Sequence, residues 1–412
     1  MKKLLSLILS LMLLLSLCAS AVAEETITLD FWVRTSDDFS SEIAAFEAAN
    51  PGIKINQVQV GENYDDLVAK YNAAIAADNL PQVGMVGQRH GIPQFYDAGK
   101  LIPIENYMTQ EEQDDVIDGF WVRYTYNGVR LAVPFQSSMP MLYYNQTMLE
   151  ELGLEVPTTF TEMIETAKKA VKDVDGDGAT DIYGFNMAAD TPWYVQPLVW
   201  GFGGTIIDEN GSANVNTEEM KQVLSLFGQM VKDGVMPANQ HATAQTDFTN
   251  GNVLFFFTSC ASKSNIENAV GDNFEYNMAF FPGEEELNVC IGGNGLAIFA
   301  STEAEQEASA RFIKYLISPE GISQSSLEKG YMPFTDSQFA SELIQTRMED
   351  PIWKTVLDQV QYIQGQNIHP ADSTIWNETM ALLSEIEADP DMDIGAALEE
   401  MQAEIDEFMM LY

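Results

Sequence analysis

The chain has 412 residues with 62 acidic and 20 basic side chains, a formal charge of −42 with histidines neutral. Such a balance repels nucleic acid and anionic membrane surfaces, so neither is an expected partner. The acids are dispersed, with clusters at 111–115, 284–286 and 389–406, which reads as a solvated surface.

Lys2 and Lys3 precede an apolar run from Leu4 to Leu17 that is too short for a membrane span, and Ala21-Val22-Ala23 supplies a small-residue cleavage site. This predicts a signal peptide over 1–23 and an exported protein, periplasmic or at the cell surface. Cys18 offers a lipid anchor as the alternative, but Leu17 before it is bulkier than a lipidation site takes, which favours simple cleavage. No later run of eighteen apolar residues occurs, and the remaining length suits two domains. Cys260 and Cys290 each follow an apolar strand-like run, so buried free thiols are expected even though export permits a disulfide. His90, His241 and His369 are scattered, and no His or Cys spacing suits zinc.

In chain order, residues 26–33 alternate as a strand, a helical pattern covers 38–49 until Asn50-Pro51-Gly52 stops it, and 53–60 returns to strand. A helix over 65–77, a short buried strand at 83–86 and a helical piece at 94–98 complete an α/β lobe. Residues 134–151 then place an apolar strand, Met141-Leu142-Tyr143-Tyr144, between a polar turn with Ser137 and Ser138 and a helix N-capped by Asn145 that runs to Gly153. Helical patterns at 161–172, 217–232 and 264–270 alternate with strand-like runs at 182–186, 252–258 and 276–281. A glycine-rich strand at 290–299 is followed by helical periods at 304–316, 319–329, 353–362, 375–387 and 394–411. Tyr143, Tyr144 and Trp32 sit at strand spacing and read as core.

Six separate pieces carry a resemblance: Gly61-Glu62-Asn63-Tyr64, Gly87-Gln88, the run 137–145, Asn265-Ile266, Ile291-Gly292-Gly293 and Lys329-Gly330-Tyr331-Met332-Pro333. In this order they resemble the extracellular solute-binding proteins of carbohydrate ABC importers, on the branch close to glycerol-3-phosphate binders. The resemblance implies an α/β, two-lobed periplasmic-binding-protein fold of type II kind, with discontinuous lobes, a hinge and a helical C-terminal region. The implied division is lobe 1 over 24–133 plus 292–333 and lobe 2 over 134–291 plus 334–412. It also implies a monomer that captures a small molecule between the lobes and hands it to permease subunits, with no catalysis and no obligatory cofactor.

Carried over motif by motif, the resemblance implies ligand contacts at Tyr64, Gln88, Ser137 or Ser138, Ser262, Gly293 and Tyr331. Their chemistry suits a hydroxylated ligand: hydroxyls and an amide that donate and accept, and a glycine that opens the backbone. Trp193 resembles the sugar-stacking ring of sugar binders, although a buried packing role stays open for it, and the serines also suit turn or cap bonds. Phosphate-binding members use a C-terminal arginine, and 366–372 contains none; Gln88 stands where they carry an acid. A neutral carbohydrate is therefore expected ahead of glycerol 3-phosphate or a glycerophosphodiester.

Asp173, Asp175, Asp177 and Asp181 take positions one, three, five and nine of a calcium-type loop, but position twelve is Gly184 instead of the bidentate glutamate. Structural calcium and a plain acidic turn both remain open. A secreted glycoside hydrolase is the rival class, yet no carboxylate pair stands out and no nucleophile elbow, zinc motif or phosphate loop occurs. A calcium-dependent adhesion module rests on the acidic turn alone.

Overall fold

Alternation in the first strand-like run becomes β1 (Ile27–Arg34), with Leu29, Phe31 and Val33 buried and the residues between them more exposed. The computed structural model describes residues 26–411 except 88–90, 209, 323 and 366–367. The signal region, Cys18 and Gln88 therefore lie outside the described residues. Eleven further strands follow among the described residues: β2 (Ile53–Gly61), β3 (Val83–Gly87), β4 (Leu101–Ile102), β5 (Thr125–Tyr126), β6 (Val129–Arg130), β7 (Ala132–Ser138), β8 (Pro140–Asn145), β9 (Tyr183–Met187), β10 (Val253–Ser259), β11 (Tyr276–Ala279) and β12 (Gly292–Phe299).

Two sheets separate the molecule into lobes. The first runs β2-β1-β3-β12-β4, with β7 also paired to β12; β1 lies parallel to β2 and β3, whereas β12 is antiparallel to its neighbours. The helices Tyr64–Ala77 and Glu303–Ile317 pack on it. Their rings interlock with the strands, Tyr71 stacking on Phe299 at 4.7 Å and Phe312 meeting Phe31 edge-on at 5.3 Å. The second sheet runs β11-β8-β10-β9. Phe185 and Phe281 close on Phe257 at 4.8 and 4.4 Å, under the helix Glu218–Lys232 and the C-terminal helices Asp372–Ala388 and Ile394–Leu411.

The crossing between sheets falls at Met139, later than the expected 134, because Ala132–Ser138 is a strand of the first sheet paired with β12. Ser137 and Ser138 thus end a buried strand and do not form a turn. Asn145 caps the next helix, Gln146–Glu151, its side chain accepting from Met148 N at 2.9 Å. The segment from Phe334 to Gln338 also departs from the expected division. Asp115 on the first lobe accepts from Ser337 N and Oγ at 2.8 and 2.6 Å, while the helix Pro351–Gln359 packs on β11 of the second. The helix expected over 319–329 is described only for Gln324–Lys329, since Ser318 Oγ and Gly321 N close a turn ahead of it. No helix among the described residues is long and apolar enough to cross a membrane.

Candidate functional site

The space between the two sheets is a cleft of about 440 Å³, bordered on one side by Arg34, Glu62, Asn63 and Tyr64 and on the other by Asp190, Trp193, Ser262 and Trp376. Of the residues expected from sequence, Tyr64, Ser138, Trp193, Ser262, Gly293 and Tyr331 line it. Ser137 does not. It is buried behind Ser138, and its carbonyl accepts from Met332 N at 2.8 Å, so this residue fastens the segment that presents Tyr331.

A bulge sets the geometry of the first wall. Gly292 pairs with Ser138 and Asn294 with Phe135, which leaves Gln136 and Ser137 opposite a single residue; Gln136 adopts φ +43 and Gly293 φ +101. A side chain at Gly293 would place its Cβ 2.1 Å from the Gln136 carbonyl oxygen, so only glycine allows the approach. The displaced Gln136 becomes a hub. Its Nε2 donates to Asp37 Oδ1 at 3.2 Å and Ser326 Oγ at 3.1 Å, and its Oε1 accepts from Asn294 Nδ2 at 2.9 Å and Arg34 Nη2 at 3.2 Å.

Arg34 closes the same network. Nε donates to Asp37 Oδ2 at 2.9 Å, Nη2 donates to Tyr331 OH at 3.3 Å, and the guanidinium lies 5.1 Å from the centre of the Tyr64 ring. Burial on its own lowers the Arg34 pKa, but Tyr64, Tyr331 and Asp37 outweigh it and raise the value, so the group stays charged. Burial pushes the Tyr64 phenol up to about 12 against the pull of Arg34, which keeps its O–H. Tyr64 OH accepts from Asn294 Nδ2 at 3.3 Å.

The second wall is built differently. Trp193 stands in the first turn of the helix Pro192–Gly201, not in a loop, and its Nε1 donates to Ile291 O at 3.4 Å while the ring stays half-buried at the cleft. Ser262 Oγ shares a 3.2 Å bond with Thr258 Oγ1 at the start of the helix Lys263–Val270. Trp376 belongs to the helix Asp372–Ala388 and was not foreseen: within a long helical period an aromatic reads as core. Arg34, Glu62 and Asp190 were missed as well, because a charge at a strand or loop end carries no periodic signal.

Cys260 and Cys290 are both buried and unbridged. In the acidic turn, one oxygen each of Asp173, Asp175 and Asp177 lies within 4.8 Å of the others. Asp181 stands apart from this group, its Oδ2 accepting from Val174 N at 2.7 Å. Asp173 itself accepts from Gly176 N and Gly178 N at 2.6 and 2.9 Å. A Cβ at Gly184 would meet Ala167 O at 2.1 Å, so the missing glutamate has no room there. The loop thus brings three carboxylates together while Asp181 and Asp173 accept from its own amides.

The architecture matches that of a solved structure of UgpB from Mycobacterium tuberculosis in complex with glycerophosphocholine, with a TM-score of 0.81, 22% identity, and 93% of this chain and 98% of that one covered. In sequence it is 24% identical over 379 residues to a maltotriose-binding protein of Pyrococcus abyssi, covering 89% of this chain and 78% of that protein. It is 26% identical over 354 residues to the sn-glycerol-3-phosphate-binding periplasmic protein UgpB of Salmonella typhimurium, covering 79% and 78%. A family model for bacterial extracellular solute-binding proteins matches residues 42–355. The chain therefore belongs to the bacterial extracellular solute-binding proteins.

Proposed function

We propose that this protein is the solute-binding component of an ABC importer and that its solute is a neutral carbohydrate, mono- or oligosaccharide, delivered to permease subunits in the membrane. The charge balance of the cleft carries this reading. Arg34 is its one cation among the described lining residues and is already engaged by Asp37, Gln136 and Tyr331, whereas Glu62, Asp65 and Asp190 add three carboxylates. A phosphate entering here meets like charge and no uncommitted guanidinium. A neutral sugar instead finds rings at Trp193, Trp376, Tyr64 and Tyr331, and hydroxyls at Ser138, Ser259 and Ser262.

In this reading Tyr64, Ser138, Trp193, Ser262, Gly293 and Tyr331 contact the sugar, and Gln88, next in sequence to Gly87, is proposed to join them. Binding begins on one wall, contacts from the other complete the site, and the closed form so favoured is what the permease reads. The protein works outside the cytoplasm as a monomer, freed by cleavage after Ala23, with lipidation of Cys18 as the alternative. It returns its ligand unchanged.

The second reading, glycerol 3-phosphate or a glycerophosphodiester, draws on the glycerophosphate-binding relatives. Melting of the mature protein against glucose, maltose, maltotriose, glycerol 3-phosphate and glycerophosphocholine separates the two. A ligand at a hundredfold its dissociation constant adds about 2.7 kcal/mol of stability. A shift with a neutral sugar is expected; a shift confined to the phosphates refutes the carbohydrate assignment.

A further inference from the structure

Beyond the cleft, past Trp376, lies a small cavity of about 30 Å³, room for a water-sized group. Arg123 enters it from the first lobe, on the single turn Val122–Tyr124. The facing walls are the second lobe's: Val195 and Gln196 of the helix Pro192–Gly201, and Asp372, Trp376 and Thr379 of the helix Asp372–Ala388. Trp376 borders both spaces, so the cavity adjoins the interlobe cleft across this ring.

Arg123 is 8% exposed, yet no acceptor among the described residues reaches its Nη1. A buried donor without a partner destabilises the fold, and more so when it is charged. Asp372 is also buried and shares the cavity; its Oδ2 accepts from His369 N at 2.9 Å. The two form no ion pair within 4 Å among the described residues. A guanidinium and a carboxylate held apart across one cavity present donors on one side and acceptors on the other, with no net charge between them.

We infer that Arg123 and Asp372 form a hydroxyl-reading subsite beside the cleft, where one hydroxyl of a neutral sugar fills the water-sized space and bridges the guanidinium and the carboxylate. Its oxygen accepts from Arg123 Nη1, and its O–H donates to Asp372. Gln196 and Thr379 line the remainder with groups that donate or accept as needed. An anion gains Arg123 but meets Asp372, which disfavours phosphate here as in the main cleft. Because the two residues come from opposite lobes, a ligand that bridges them also holds the lobes closed. The subsite rests on the carbohydrate reading above.

The test compares the full mature protein with R123M and D372N. Each is titrated calorimetrically with glucose, maltose, maltotriose and glycerol 3-phosphate and melted without ligand. For a saccharide that binds the unsubstituted protein, R123M and D372N each weaken binding by tenfold or more. R123M leaves the ligand-free melting temperature unchanged or raised, since it removes a charge that lacks a partner. Unchanged saccharide affinity overturns the subsite, as does a drop in ligand-free melting with R123M, which would make Arg123 a structural tie. Glycerol 3-phosphate binding that depends on Arg123 and is tightened by D372N also overturns it, in favour of an anion site. If no saccharide binds the unsubstituted protein, the carbohydrate reading fails, while the melting comparison still judges the subsite.

Discussion

The two walls of the cleft solve the same problem by opposite means. The first wall ties its polar groups together before any ligand arrives: Arg34, Asp37, Gln136, Asn294, Tyr64 and Tyr331 form one continuous set of hydrogen bonds around the β7–β12 bulge. The second wall offers half-buried rings at Trp193 and Trp376 and serine hydroxyls, with Trp193 and Ser262 bonded within their own lobe. A wall bound to itself is rigid and fixes orientation, at no cost in ordering when a sugar docks. A wall of rings supplies contact area that tolerates small shifts in sugar position. Orientation and adhesion are thus assigned to different lobes.

The sharpest way to break this contrast is to cut the first wall. Arg34→Met leaves Asp37, 1% exposed, with its principal cation gone and only Lys329 Nζ, 3.8 Å away, in partial compensation. Losing one partner of a buried pair costs about 3 kcal/mol. Thermal melting of the ligand-free variant should show a loss of that order; unchanged melting would mean that the network adds no stability. Gly293→Ala strikes the same wall through the backbone, where a new Cβ has no room beside Gln136 O. The expected loss is about 2 kcal/mol with weakened ligand capture, and Gly128→Ala, where a Cβ meets nothing within 4 Å though φ is also positive, serves as the control for φ strain alone.

The second wall should respond in the complementary way. Trp193→Ala removes a half-buried ring whose polar tie is a 3.4 Å bond to Ile291 O, so melting should change little. Affinity for a bound sugar, read by calorimetry, should fall by about 1–2 kcal/mol, roughly five- to thirtyfold. A large fall in melting with affinity preserved would return Trp193 to a packing role.

The same contrast governs what was legible in the sequence. Strand alternation at 26–33 and 53–60 and the cap at Asn145 follow from local rules, and the structure places them as expected. The resemblance pointed to Tyr64, Gln88, Ser137, Ser138, Trp193, Ser262, Gly293 and Tyr331; six of these border the cleft, Ser137 lies behind it, and Gln88 falls outside the described residues. The first wall's wiring was not legible, because Arg34, Gln136 and Asn294 meet only through long-range pairing and a bulge that no periodicity announces. The helix at Trp193 was not foreseen; Pro192 occupies its first turn, where proline is tolerated, and Pro197 lies inside it. Arg123 and Trp376 came together only once both lobes were in place.

The smallest expected effect distinguishes the walls by pH. Burial pushes the Cys260 thiol, on the second lobe, from about 9 up to about 12, and the Tyr64 phenol, on the first, from 10 up to about 12. Both folded values lie above the unfolded ones, so the stability each contributes is complete below the unfolded value and is lost as pH rises toward the folded value. The second lobe is therefore touched first. Between pH 9 and 10 the unfolded chain gains a thiolate that the folded chain refuses, worth about 1 kcal/mol. Above pH 10 Tyr64 joins, together with core tyrosines such as Tyr71 and Tyr276 that burial also raises. Melting at pH 8, 9 and 10 should fall across the last interval in the unsubstituted protein and fall less in Cys260→Ala. Tyr64→Phe should reduce the loss across that interval by only about 0.3 kcal/mol, less than Cys260→Ala does, and by more at higher pH. Identical curves for Cys260→Ala and the parent would mean that the thiol is reached by water, and that the floor of the second wall is looser than its packing against Gly330, whose added Cβ would lie 2.2 Å from Cys260 O, requires.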